Sequence, residues 1–401
     1  MDKRFLIIFL IGIIVKIFLS FSTFHPDILA FQLGGSLISS GKIFDLYEHS
    51  LPSIAILNYP PAIYWYHGIF NFLFSTILGS SIINNYLAVD EVVLGDFYFN
   101  IHLLLLKIPY LVFDVLAGWF LIKLFTSTKE KLVVFMLWNF NPINLYSTYM
   151  MGQFDIIPVF FTTLFLYFLY QRKWSLSALS LGAGMAFKIY PLFLLIPLML
   201  SKSQHLDRLK LFGLGTGVYI LTILPYIFSS GFRSTALLAN QTLKSLYASI
   251  AISGGASILL FPIFLFFFYL YLFYHKQDVK NLWNICLVTL LIFFVFTHHH
   301  PQWILWLSPF LIIDLIKSQF KNLVLVILVI VSFIGSLFFF DPSLTVNIFS
   351  PLIPSLYNLP SLWEIYKIQM DFHLGRSLMQ SILIASALYY FYLYFPRKTD
   401  E

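Results

Sequence analysis

Apolar runs separated by short polar breaks cover nearly the whole chain. A helix crossing a bilayer needs about 20 apolar residues, within roughly 17–25. Such runs fall at 5–21, 98–125, 131–150, 155–171, 209–229, 256–274, 281–297, 302–316, 321–340 and 378–395. The longer stretch 174–200 is interrupted at Lys188-Ile189-Tyr190-Pro191. Pro191 has no N–H to donate and disfavours helix at Tyr190. Two short spans are therefore predicted, 175–187 and 189–200, meeting at Lys188. The N-terminal run has the basic start and apolar core of a signal peptide. However, Lys16 interrupts it and no small-x-small site follows, so an uncleaved first span is predicted.

The stretch 62–79 is long enough to cross, yet it carries Tyr64, Trp65, Tyr66, His67 and Asn71. That profile fits a helix lying in the interface. With 62–79 on the surface there are about 12 spans, and both termini are cytoplasmic. About 16 basic residues then face inward and about 5 outward, as the positive-inside rule requires. A crossing 62–79 with the N-terminus inside reverses that bias. Thirteen or so spans with the N-terminus outside would restore it, but Lys3 and Arg4 beside the first span argue against that. On the preferred topology residues 22–97 form a long external loop with juxtamembrane helices. Further external loops lie near 151–155, 230–255, 298–301 and 341–377.

Composition agrees. The 401 residues are 59% hydrophobic and 10% charged, against about half and a quarter in soluble domains. The expected fold class is an all-α polytopic membrane protein, one integral membrane domain over 1–401. The single cysteine, Cys286, excludes an internal disulfide. The net charge of +6 is spread in pairs between apolar runs, which fits cytoplasmic loops and not nucleic acid.

The informative residues are polar groups near outer span ends. Asp27 follows His25-Pro26, just after the first span. Gln153 and Asp155 sit in "MGQFD", Lys188 at the break, Arg233 in the 230–255 loop, and His298–His300 with Gln302 in "HHHPQW". Simpler roles exist for several of them. Asp155 could cap the helix that follows, and Lys188 could snorkel. Three adjacent histidines cannot all face one ligand, since helical neighbours point about 100° apart. Lys107 and Asp114 read as contacts to neighbouring helices or as secondary cavity groups, and Lys16 is expected near the outer headgroups beside Asp27. Divalent-metal dependence is left open, because no metal-ligand spacing is present.

If these groups converge, they suit transfer of a sugar from a lipid-linked phosphate. A phosphate ester leaves as a stable anion, so one carboxylate base for the acceptor hydroxyl is enough, unlike the paired carboxylates of hydrolytic glycosidases. Cations belong where charge develops on the phosphate. Tyr59, Tyr64 and Trp65 offer faces on which sugars stack. The donor's tail would stay among membrane lipids.

Several stretches carry a family resemblance: "GKIFDLYEHS", "NYPPAIYWY", "NPINLYSTYMMGQFD", "GAGMAFKIYPLFLLIPLML" and "HHHPQWILWLSPFL". In their order they resemble the GT-C superfamily of polyprenyl-phosphate-dependent glycosyltransferases. Within it they are most similar to the first mannosyltransferases of GPI-anchor assembly and related prokaryotic membrane mannosyltransferases. The resemblance covers most of 20–316. It implies a GT-C-like fold and inverting transfer of a sugar, mannose by family weight, on the external or lumenal face. The acceptor would be a lipid-linked glycan, a glycolipid or a protein. It implies Asp27 as catalytic base and Asp155 in the pocket, with Lys188 and His299 or His300 near the donor phosphate. Several members carry an acidic pair in the first loop. Here a single Asp27 follows His25, which leaves His25 as the second polar group. A transporter or flippase of a lipid-linked or small polar substrate is the alternative. It would favour midplane polar groups and paired halves, and no internal repeat is visible.

Overall fold

A computed structural model of the chain describes residues 3–49, 56–79, 94–238, 243–275 and 279–396. Lys276, Arg397 and Lys398, and parts of the expected first loop (50–55 and 80–93), lie outside the described residues. The fold is mostly helical, and its buried apolar residues form one continuous core.

Three helical stretches are long and apolar enough to cross a membrane by length and composition: Lys3–Ser22, Phe97–Ile122 and His205–Tyr226. Shorter apolar helices accompany them. In chain order the helices used below are α1 (Lys3–Ser22), α2 (Ile28–Ser39), α3 (Ala62–Leu78), α4 (Phe97–Lys107) and α5 (Tyr110–Ile122). Next come α6 (Thr128–Asn139), α7 (Ile156–Tyr170), α8 (Trp174–Met185), α9 (Pro191–Leu200) and α10 (His205–Ile223). The last are α11 (Leu260–Tyr274), α12 (Leu282–Phe296), α13 (Ser308–Lys317), α14 (Leu323–Leu337) and α15 (Phe372–Tyr394).

Most helix breaks follow from local chemistry. Pro109 separates α4 from α5 and Pro191 opens α9, as proline does where a helical donor is dispensable. Asn141 caps a short turn of helix by accepting from the Ile143 and Asn144 N–H groups. A π-helical turn, Leu145–Met150, follows and delivers the chain to "MGQFD". The predicted run 302–316 is split: Pro301–Leu307 forms a 3-10 turn, and α13 begins at Ser308. The start of the predicted run 256–274 differs more. Ser249–Ser253 (β1) and Ala256–Leu259 (β2) form an antiparallel hairpin, and α11 begins only at Leu260.

Two packing features bear on the site. First, α2 and α3 lie within the 22–97 segment and approach closely through glycines. A Cβ on Gly34 would fall 2.1 Å from the Tyr64 ring, and one on Gly68 2.5 Å from Ile38. Small residues permit such contact between apolar helices. Second, α1, α5 and α6 are joined by a buried polar network. Lys16 Nζ lies 2.7 Å from Asp114 Oδ2 and donates to Asn139 Oδ1 at 2.7 Å. Asn144 donates to Asp114 Oδ1 at 2.8 Å, and the Tyr149 hydroxyl donates to Oδ2 at 2.6 Å. Lys16 is thus held inside the bundle, not beside Asp27 as expected, because Asp114 offers a buried counter-charge. Lys107 donates to the Thr23 and Met150 carbonyls at 2.6 and 3.2 Å, a contact between helices as expected.

Candidate functional site

The turn at Met150–Asp155 builds the site. Gly152 has φ +72°, in the left-handed region that favours glycine. A Cβ there would also meet Ile28 Cδ1 at 2.7 Å and Lys107 Cε at 3.1 Å. With this turn tight against α2, Gln153 and Asp155 face two different partners.

Gln153 faces outward to the start of α2. Its Nε2 donates to Asp27 Oδ2 at 2.7 Å. His25 Nδ1 lies 3.8 Å from the same oxygen, and the other His25 nitrogen is 3.1 Å from the Ser343 hydroxyl. Gln153 is fully buried, but the Asp27 side chain is 48% exposed. Asp27 is therefore a carboxylate fixed from behind and open in front.

Asp155 faces inward. Its oxygen Oδ1 accepts from Lys188 Nζ at 2.7 Å and from the Trp306 indole N–H at 2.6 Å. It makes no side-chain cap on α7, so the capping alternative is not what the residue does. Aromatic rings surround the ammonium of Lys188. Those of Tyr59, Phe154, Trp303 and Trp306 have centroids 5.5, 5.3, 5.0 and 5.3 Å away. Cation–π attraction of this kind helps offset the desolvation of a buried ammonium. Trp306 stacks on Tyr190 at 4.2 Å and on Trp303 at 5.4 Å, which ties the helix break at 186–190 to the 301–307 turn.

Four buried polar atoms in these same stretches have no hydrogen-bond partner among the described residues: Gln153 Oε1, Asp155 Oδ2, Gln302 Oε1 and Trp303 Nε1. Unpaired buried polar atoms are costly and uncommon. These four lie in the two segments that carry Asp155 and Trp306, which makes the region a candidate ligand site.

The His298 and His300 rings stay together, 6.1 Å apart, and His299 points elsewhere. His299 packs on Phe294 at 4.9 Å, turned into the protein. His300 lies 2.9 Å from Lys244 Nζ and contacts the Trp303 ring at 5.6 Å. Both His298 ring nitrogens are 3.4 Å from the Arg376 guanidinium. Burial, reinforced by Arg376 and Lys244, pushes His298 down to about 4. Burial and Lys244 push His300 down to about 3. Both rings are neutral near pH 7.

Of the candidates read from the sequence, His25, Asp27, Tyr59, Gln153, Asp155, Lys188 and Gln302 form one neighbourhood, with His300 at its edge. His299 turns its ring away. Arg233 sits elsewhere: it is exposed and donates to the Ile227 and Phe228 carbonyls, near Glu48. Trp303 and Trp306 were not singled out from the sequence; their positions four and seven residues after His299 within "HHHPQWILW" were the available signal. Lys244 and Arg376 left only the weaker signal of basic residues in external loops. Among the described residues no three His, Cys, Asp or Glu side chains gather as a metal site.

Residues 72–228 match the family model described as GPI transamidase subunit PIG-U. The chain is also 26% identical over 260 residues to GPI mannosyltransferase 1 of Kluyveromyces lactis, covering 56% of this chain and 64% of that protein. The chain is similar to a GT-C-like, GPI-related family. GPI mannosyltransferase 1 of Eremothecium gossypii is 28% identical over 117 residues, which cover 27% of this chain and 29% of that protein. The matched stretch spans less than two thirds of the length of either relative. The PIG-U match includes Asp155 and Lys188 but neither Asp27 nor the 298–306 segment.

Proposed function

We propose that this chain is an inverting membrane glycosyltransferase. It would move a sugar, mannose by analogy with the names of its relatives, from a polyprenyl-phosphate donor to a hydroxyl of a lipid-linked glycan. The observation that carries this reading is the pairing of an open carboxylate, Asp27, with a buried, partly unsatisfied polar wall around Asp155 and Lys188.

Asp27 takes the proton of the acceptor hydroxyl. The acceptor oxygen bonds to the sugar C1 as the C1–O bond to phosphate breaks, and that electron pair leaves with polyprenyl phosphate. One displacement inverts C1, and the proton ends on Asp27. Gln153 and His25 orient the base. The Asp155–Lys188 pair and the two indoles fix the floor, with Tyr59 as a stacking face. The outward bias of this site and cytoplasmic termini follow from the distribution of basic residues.

The test is Asp27→Asn in purified protein, with polyprenyl-phosphate mannose and a lipid-linked glycan acceptor. Loss of a general base should lower transfer about 10²–10⁴-fold with the fold intact. Full activity in that variant removes Asp27 as the base. A second reading has one observation in its favour, the PIG-U match: a subunit that binds a lipid-linked glycan without chemistry. Under it the wild-type chain binds the glycan and never turns the donor over.

A further inference from the structure

A cleft of about 820 Å³ lies beside the candidate site, between the outer end of α12, α14 and the start of α15. Its walls include His298, Arg376, Ser377 and Gln380, with Phe296 and Phe340 as apolar surface. The Arg376 guanidinium lies over the Phe340 ring at 4.4 Å. Its hydrogen-bond contacts are the neutral His298 ring nitrogens at 3.4 Å. Lys244 stands next to this group: its backbone carbonyl accepts from the His298 N–H at 3.3 Å, and its ammonium meets His300.

Two half-buried cations therefore share one histidine segment. Among the described residues neither forms a salt bridge with a carboxylate. Burial disfavours the charge of both, and for Lys244 the nearby Arg376 guanidinium adds to that cost. An anion between them would relieve both penalties, and a guanidinium fork suits phosphate oxygens. Lys188 is a poor candidate for the same task. Its ammonium is already engaged by Asp155 and enclosed by four rings.

We propose that Arg376 and Lys244, with His298 beside both, hold the phosphate of a polyprenyl-phosphate lipid, and that the cleft takes the first isoprene units of its tail. The volume lies within the range of roughly 300–1,000 Å³ usual for small-ligand pockets, far more than a free phosphate fills. The location suits the chemistry. Lys244 lies near enough to Asp27 for that carboxylate to favour its charged form. His300 leads through Trp303 to Lys188. A sugar on the bound phosphate would thus lie toward Asp27. This inference rests on the transferase reading for its biological meaning, but its test does not.

The measurement is binding of geranyl phosphate to the full chain in detergent, with inorganic phosphate as competitor, for wild type, Arg376→Gln and Arg376→Lys. Binding should weaken on the order of ten- to hundredfold in Arg376→Gln, the loss of one charge-assisted contact, and less in Arg376→Lys. In a transfer assay Arg376→Gln should raise the donor KM with little change in acceptor KM. Unchanged geranyl phosphate binding in a folded Arg376→Gln protein overturns the proposal, whatever the transfer assay gives. Equally strong binding of inorganic phosphate overturns the lipid assignment. If wild type binds geranyl phosphate through Arg376 but transfers nothing, the phosphate site stands and the transferase reading falls.

Discussion

Among the described residues there are two buried lysine–aspartate pairs, each closed at 2.7 Å. They differ in how completely their surroundings use them. Around Lys16–Asp114 both carboxylate oxygens have partners, from Asn144, Tyr149 and the lysine. Around Lys188–Asp155 one oxygen takes both donors and the other takes none. The first pair fastens three helices. The second leaves one buried carboxylate oxygen without a hydrogen-bond partner among the described residues. A buried ion pair by itself therefore says little about function; the completeness of its hydrogen bonding separates the two.

The largest expected effect breaks the fastening pair. Lys16→Met leaves a buried, uncompensated Asp114 and should cost about 3–5 kcal/mol of stability. Adding Asp114→Leu should recover most of it, because apolar replacement of a whole buried pair is often near neutral. Thermal unfolding in detergent reads both changes, and an unaltered midpoint in Lys16→Met would erase the contrast drawn above. A smaller stability change and a larger functional one are expected at the other pair. Asp155→Asn keeps an acceptor for the Trp306 N–H, and the Lys188 ammonium it leaves without a counter-charge is still enclosed by four aromatic rings, so the stability loss should stay near the lower end of that range, about 3 kcal/mol. Transfer should nevertheless fall by at least about tenfold, a loss of about 1.4 kcal/mol at the barrier. Equal stability losses at Asp114 and Asp155 with undiminished transfer would make the two pairs the same kind of feature.

A further effect concerns acid. His298 and His300 are held at about 4 and about 3, below the usual histidine value of 6.5. Above pH 6.5 both folded and unfolded forms are neutral and the groups cost nothing. As pH falls from 6.5 toward 4, the unfolded chain gains protons that the folded one refuses, so stability falls. The unfolding midpoint should drop across that window, and His300→Gln should flatten the drop. A pH-independent midpoint would show these rings to be freely protonated.

Hydropathy made the helices legible, and the proline rule located the break at Lys188. The polar residues near span ends also marked most of the candidate site, since such groups are expensive beside lipid. What the sequence could not supply was azimuth. Lys16 reads as a snorkelling lysine because its counter-charge, Asp114, lies on another helix. Arg233 and Arg376 look alike as loop cations, yet one folds back onto the Ile227 and Phe228 carbonyls and the other onto His298. The β1–β2 hairpin was hidden because β2 continues the apolar run of α11 and β1 falls within the expected 230–255 loop.

The left-handed turn at Gly152 carries a consequence for how such a protein can diversify. It works as a ruler. Its backbone sets the spacing between an open carboxylate and a buried one, without reference to what is bound. Parts of the 22–97 segment away from that turn can then be exchanged to accept a different ligand while the graduation stays the same. The turn itself resists such a trade, for at φ +72° any side chain at Gly152 is strained and Ile28 must also give way to it.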